Sequence, residues 1–304
     1  MTFILRQQWT KKADDIVKFF EHVTGEEVPI YDTPGVPGTV LKKNEGETIR
    51  VDAYRTLVGK LMFYTTKVGL KQSNGVRDLS RHMENPGKSH WLAMKRVVGY
   101  MKGQELKGLR MTKPVELRMA SLADSDYAKD PIERKSVGGD IHTLGGCITS
   151  FSSRGEKSVS LSSTESEYKM LSNAAKEMKF QQMLLEEIAS VELPGIILED
   201  NNGAIFLVRN KQVGMRTKHI DVRYHFVREF CNRNLDGIVQ GHVEKVSTEE
   251  NTADICTKNT DVKTFKYHEK EIDEGFPMLK KKVFGSGGIV ETLKQKFFGG
   301  MSCK

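Results

Sequence analysis

Cysteine is scarce in this 304-residue chain: four in all, none in CxxC spacing. That excludes a disulfide frame and a cysteine-based zinc site, and it points to reduced thiols inside a cell. Long apolar runs are missing too, so no helix is expected to cross a bilayer. The opening Met-Thr-Phe-Ile-Leu-Arg turns polar too soon for a secretory signal, and an intracellular, cytoplasmic location is expected. Only eight prolines occur, and Pro29, Pro34 and Pro37 fall together with Gly35 and Gly38, which marks a loop or arm.

What is present is the composition of a globular protein, 38% hydrophobic and 29% charged. Net charge is +7 and unevenly placed. Residues 1–115 hold 20 Lys/Arg against 12 Asp/Glu, and residues 116–304 hold 27 against 28. A basic front on a near-neutral back suits a polyanion such as nucleic acid, and equally an ordinary solvated surface.

The first third reads as helical. A short helix is expected from Lys12 to Val23. Tyr54, Leu57, Val58, Leu61 and Met62 recur at helical spacing. Asn85-Pro86-Gly87 is a turn, and it opens a helix over Lys88 to Lys102 with Trp91, Met94, Val98 and Met101 on one stripe. No strand pattern shows in this region. After Pro114 the pattern changes. Strands are expected over Glu116–Ala123, Ser136–Leu144 and Cys147–Ser153, the last two joined at Gly145-Gly146, with a short extended piece at Ser158–Leu161. A capped helix runs from Ser162 to about Ile188. Further on come a short strand ending at Glu199-Asp200, a helix capped by Asn201 or Asn202, and a helix over Asp221–Arg233. A strand over Gly237–Val246 and a last helix over Glu250–Lys258 complete the order. Strands and helices mixed in this order predict an α/β layer architecture around a central sheet.

Four carboxylates stand at the edges of these apolar segments. Asp124 and Asp126 share one strand face, so either can point into a site; for Asp126, ending the strand is the simpler role. On the long helix, residues 167, 171, 174 and 178 share a face, and Leu171, Ala174 and Met178 make it the inward one. Glu167 on that face needs compensation by a metal ion, an arginine or helix-end amides. Glu165 is expected to face water with Ser172 and Lys176 and to complete the capping box. Asp200 ends a short apolar strand, the usual place for a ligand or catalytic acid in open α/β sheets; helix capping is its alternative. Asp254, beside Ala253 and Ile255, could equally form a surface salt bridge. Acids drawn from distant segments to strand and helix ends suit divalent cations.

Several of these stretches carry a resemblance. Ser160-Leu-Ser-Ser-Thr-Glu-Ser-Glu-Tyr168, Glu199-Asp-Asn-Asn-Gly-Ala-Ile205, Thr217-Lys-His-Ile-Asp-Val-Arg-Tyr-His-Phe-Val-Arg-Glu229 and Ala253-Asp-Ile-Cys-Thr-Lys258 resemble the ribonuclease H region of Ty1/copia-type retrotransposon polyproteins. Asp124-Ser-Asp-Tyr-Ala-Lys-Asp130 is similar to that family's opening strand, and Arg134-Lys-Ser-Val-Gly-Gly139 to its next hairpin. Upstream, Tyr54-Arg-Thr-Leu-Val-Gly-Lys-Leu-Met62 and Asn85-Pro-Gly-Lys-Ser-His-Trp91 resemble the segment between polymerase and nuclease.

The resemblance implies a ribonuclease H-like five-stranded mixed sheet flanked by helices, behind a helical N-terminal segment. It implies an arm over 1–48, a reverse-transcriptase thumb/connection remnant over 49–112, the ribonuclease H-like domain over 113–262 and a tail over 263–304. Asp124, Glu167, Asp200 and Asp254 fall on the catalytic, metal-binding positions. Two Mg²⁺ ions, or Mn²⁺ in their place, are the implied cofactors. An RNA–DNA hybrid is the implied substrate, the polymerase portion an implied partner, and virus-like particles an implied location. The alternative is a remnant that binds nucleic acid without cutting it.

The chain departs from the family's pattern in places. It has no Tyr-x-Asp-Asp motif, so DNA synthesis is not expected. Lys71-Gln-Ser-Asn-Gly75 replaces an Arg-Pro-Asp segment, Asp140 an aromatic or apolar residue, Cys256 a leucine and Asn259 a proline. The loop Val246-Ser-Thr-Glu-Glu250 has no histidine. His219 and His225 lie six apart, on roughly opposite sides of a helix, and read as surface or packing residues. Ser162 and Ser163 read as caps. Lys280-Lys-Lys282 with Ile289, Val290, Leu293, Phe297 and Phe298 reads as a loosely docked tail, with a basic amphipathic helix as the alternative.

Overall fold

The computed structural model describes residues 2–4, 6–105, 108–112, 117–130, 133–210, 220, 222–231 and 240–279. His219, most of the Thr-Lys-His-Ile-Asp run and everything from Lys280 onward lie outside the described residues.

Four helices open the chain: α1 (Arg6–Thr24), α2 (Val51–Thr65), α3 (Ser73–Ser80) and α4 (Lys88–Gly103). The stripes expected on α2 and α4 meet: Tyr54, Leu57, Val58 and Leu61 pack with Trp91, Met94, Val98 and Met101, and with Ala13, Ile16 and Phe20 of α1. Burying each large apolar side chain here contributes roughly 1.5–3 kcal/mol. Two of the large aromatic side chains also satisfy their polar atoms. The Tyr54 hydroxyl donates to Leu79 O at 3.0 Å, and Trp91 Nε1 donates to Ile49 O at 2.9 Å.

The region is not free of strands, as the sequence suggested. β1 (Thr2–Ile4) pairs antiparallel with β2 (Arg110–Thr112). Three residues are too few to show an alternation, so pairing across the chain decides them. α3 also escaped the pattern, with only Val76 and Leu79 as its buried apolar residues.

The main sheet has the order β5-β4-β3-β6-β7. Its strands are β3 (Met119–Asp126), β4 (Val137–Leu144), β5 (Cys147–Gly155), β6 (Gly195–Glu199) and β7 (Gly241–Lys245). β3, β4 and β5 are mutually antiparallel neighbours, whereas β6 lies parallel to both β3 and β7. Gly145 and Gly146 both take positive φ, 59° and 85°, as the tight β4–β5 turn requires. No strand forms between Gly155 and Ser163, where a short extended piece was expected.

α5 (Ser163–Ala189) crosses one face of the sheet. It contains no glycine or proline, and the Ser162 hydroxyl caps it by accepting from Glu165 N at 3.1 Å. Its Leu171, Ala174 and Met178 pack with Ala123, Ile197 and Val243. α6 (Asn202–Arg209) is capped by Asn201, which accepts from Ala204 N at 3.0 Å. α7 (Phe226–Cys231) follows a 3₁₀ turn at Val222–His225.

On the other face, the helix expected over 250–258 is reduced to a 3₁₀ turn at Thr248–Glu250 and a single turn, α8 (Asp254–Thr257). The expected tail begins instead with folded chain. α9 (Val262–Glu274) and α10 (Pro277–Leu279) bury Phe265, Ile272, Phe276, Met278 and Leu279 against Leu122, Ile141 and Leu198 of the sheet. Leu70 and Tyr100 join the same cluster, so the helical segment and the sheet share a core.

Candidate metal centre

β3, α5 and β6 converge at one end of the sheet. Asp124 lies in β3, Glu167 in the second turn of α5, and Asp200 immediately after β6. One carboxylate oxygen from each lies within 4.8 Å of the other two. Asp124 is 3% exposed and Glu167 6%. Asp254, the first residue of α8, stands beside Asp124 and across a lysine. Lys258 Nζ is 2.9 Å from Asp254 Oδ1 and 4.0 Å from Asp124 Oδ1.

The supporting bonds explain the convergence. Asn251 Nδ2 donates to Ala123 O at 2.8 Å, tying the approach to α8 onto β3. The Thr257 hydroxyl donates to Asp124 Oδ2. Ser125 and Ser166 share a hydroxyl contact, and both reach Glu156 Oε1, which binds the first turns of α5 to β3. Gly139 lets α8 come close: a Cβ there would sit 2.5 Å from Cys256 Cβ and 2.9 Å from Thr257 Cγ2. Gly139→Val is therefore expected to push α8 off the sheet. It should cost about 1–3 kcal/mol by overpacking and weaken divalent-ion binding. Chemical denaturation and Mn²⁺ titration measure the two effects; unchanged ion binding would show that α8 need not touch β4.

Electrostatics at the cluster is unfavourable without a counter-ion. Burial, then Glu199, Asp124 and Asp200, push the Glu167 carboxyl far above its ordinary range. Asp254 is raised as well, by burial and then by Asp124. Glu167 Oε2 is buried with no hydrogen-bond partner. Groups so perturbed cluster at functional sites. An all-oxygen donor set with orphaned carboxylate oxygens fits hard divalent cations such as Mg²⁺ and Mn²⁺.

Sequence reasoning gave Glu199 no role. It is fully buried at the end of β6. One oxygen accepts from Asn201 N at 2.9 Å and the other, Oε2, has no partner. The available signal was strand alternation, which places it on the face of Ile197, toward α5. Glu165 was misread. It is 5% exposed rather than facing water, paired with Lys169 at 2.7 Å. Its Oε2 accepts from Leu161 N, one residue before the cap. The segment ahead of α5 folds back over the first turn, with Ser158 and Ser160 hydroxyls and Val159 O around Lys169. Ser172, expected beside Glu165 in water, is fully buried.

Asp126 is the last residue of β3 and lies 3.8 Å from Lys129. His225 Nδ1 bonds the Tyr168 hydroxyl at 2.8 Å, a packing role. The unusual residues have partners. Asp140 accepts from the Ser152 hydroxyl at 2.6 Å and faces His142. Asn259 accepts from Asn74 Nδ2 at 2.9 Å.

α3 also reaches this end of the sheet. Lys129 Nζ donates to Thr257 O and to Asn74 Oδ1. Arg77 donates to Asn74 Oδ1 at 2.8 Å and to the Ser153 hydroxyl at 3.1 Å. Arg81 pairs with Asp130. Ion pairs of Arg77 with Asp78, Arg81 with Asp130 and Lys129 with Asp126 thus border the acidic cluster.

No protein-family profile matches the chain. It is 35% identical over 224 residues to the retrovirus-related Pol polyprotein from transposon TNT 1-94 of Nicotiana tabacum, covering 73% of this chain and 16% of that protein. It is 36% identical over 207 residues to the corresponding polyprotein from transposon RE2 of Arabidopsis thaliana, covering 67% and 14%. The chain thus matches about one seventh of the length of these relatives. Among solved structures, the N-terminal RNase H domain of a Mycobacterium tuberculosis protein aligns at 12% identity and a TM-score of 0.33, over 51% of this chain and 99% of that one. The fold rests on the strand order rather than on this superposition: three antiparallel strands extended by two parallel ones, with helices on both faces, form an RNase H-like sheet. Sequence identity sustained over two thirds or more of its length places the chain in the family of retrovirus-related Pol polyproteins of copia-type transposons, of which it carries an RNase H-like domain.

Proposed function

We propose that the acidic cluster hydrolyses the RNA strand of RNA–DNA hybrids with two divalent metal ions. The observation that carries this reading is the meeting of Asp124, Glu167 and Asp200 oxygens within 4.8 Å, with Asp254 beside them. Asp124, Glu167 and Asp200 would hold one ion, and Asp124 with Asp254 the other. When bound, such ions supply an activated water and neutralise charge on the departing 3′ oxygen.

The protein's own residues do the positioning. Thr257 fixes one oxygen of Asp124 and leaves the other facing the cluster. Ser125, Ser166 and Glu156 hold Glu167 over the end of β3. Asn201 caps α6, leaving Asp200 free of that duty. Of Arg77, Arg81 and Lys129, which border the acids, Arg81, 40% exposed beside Asp130, is the one that could reach a phosphate of a hybrid, with salt-dependent affinity. Selection of RNA would come from 2′-hydroxyls read across the wide minor groove. On the same reading, residues 49–112 are the thumb/connection part of a reverse transcriptase, 113–262 the nuclease, and the polymerase portion a partner. Its place of work would be inside the cell. Among the described residues no helix is long and apolar enough to cross a membrane.

The test is cleavage of an end-labelled RNA–DNA hybrid in Mg²⁺ by the full chain, beside Asp200→Asn. Cutting of the RNA strand by the parent and loss in the variant is the expected result. No cutting, or equal cutting by both, overturns it; hybrid binding without cutting would establish the non-cleaving alternative.

A further inference from the structure

Lys258 carries an inference that rests on the two-metal reading and goes beyond it. It follows α8, four residues after Asp254, and its ammonium lies 2.9 Å from Asp254 and 4.0 Å from Asp124. It therefore lies against both carboxylates that would share the second ion. The other oxygen of Asp124 is held by Thr257, so Asp124 Oδ1 is the one turned toward both the lysine and the cluster.

Two features make this cation replaceable. Its one close carboxylate contact is Asp254 Oδ1 at 2.9 Å, with Asp124 Oδ1 farther off at 4.0 Å. Its side chain is 37% exposed, which leaves it a path into solvent.

We propose that the Lys258 ammonium is a tethered stand-in for the second divalent ion, so that the Asp124–Asp254 position fills only after the lysine swings out. The position among Asp124, Glu167 and Asp200 then loads first and the other loads at higher metal concentration. Metal supply thereby gates the site through one side chain. In the metal-free state the lysine offsets part of the charge of Asp124 and Asp254.

The experiment is Mn²⁺ binding to the full chain by electron paramagnetic resonance and calorimetry. The parent, Lys258→Met, Lys258→Arg and Lys270→Met are compared, with circular dichroism as the check on folding. The parent should show one tighter and one weaker ion. Lys258→Met should tighten the weaker ion about tenfold or more, the scale of removing a unit charge a few ångströms from a cation. Lys258→Arg should keep it weak, and Lys270→Met, at an exposed lysine of α9 whose carboxylate neighbour is Glu274, should shift it by less than about threefold. Equal tightening in both Met variants, or none in Lys258→Met, overturns the stand-in while leaving the two-metal site intact. Absence of any Mn²⁺ binding overturns the metal centre itself. Should Lys258→Met fail to fold, Lys258→Gln takes its place with the same expected tightening.

Discussion

Asp124→Asn should lower Mg²⁺-dependent cleavage of an RNA–DNA hybrid on the order of 10³-fold or more, the scale of removing a group that stabilises developing charge together with metal binding. On the proposed two-metal reading, Asp124 would be shared by both ions. Its carboxylate meets Glu167 and Asp200 within 4.8 Å, and Lys258 links it to Asp254. Asparagine keeps the shape and can still accept the Thr257 hydroxyl through its amide oxygen, so the fold should survive. Single-turnover cleavage rates, with circular dichroism alongside, measure the effect. A variant that cuts within tenfold of the parent would remove Asp124 from the bridging position and reduce the proposal to a single ion.

Glu167→Gln should stabilise the metal-free protein, by an amount that grows with pH. Burial, followed by Glu199, Asp124 and Asp200, raises the folded-state pKa of Glu167 above its ordinary value of 4.5. Below about 4.5 both folded and unfolded chains carry the proton, and glutamine changes little. Above that value the unfolded chain releases the proton while the folded chain keeps it. Stability is then lost by up to about tenfold in the folding equilibrium per pH unit, until the folded-state pKa is passed. Glutamine imitates the protonated form and escapes this loss. Divalent ions should reverse the order, because they bind the folded parent and stabilise it by mass action. Thermal melts of both proteins at pH 5, 6.5 and 8, with chelator or with Mg²⁺, read the outcome. A stability difference that stays flat across pH would mean that Glu167 has a compensating charge.

Much of the centre was legible in the sequence. Asp124 and Asp200 follow from acids placed at the ends of apolar strands, and Glu167 from its inward phase on α5. What escaped depended on chain meeting chain. Periodicity along α5 says nothing of residues 156–161, which cover its first turn and bury Glu165. Glu199 sat in plain view as a strand residue, but its fate depends on α5 lying against that face of β6. α9 carries Phe265, His268 and Ile272 at helical spacing, all buried. That pattern was readable, yet the resemblance placed the end of the domain before it. β1 and β2 are strands only because they find each other. The departures at Asp140 and Asn259 looked like damage in one dimension, and in three they have hydrogen-bond partners.

Lys129 gives the proposed boundary at residue 113 an unexpected character. It is gripped on one side by Asn74 of α3 and on the other by the carbonyl of Thr257, whose hydroxyl steadies Asp124. Scissors placed between Thr112 and Leu117 would therefore sever more than a linker. The excised sheet would keep all four acids, yet one wall of their cradle would leave with the discarded helices.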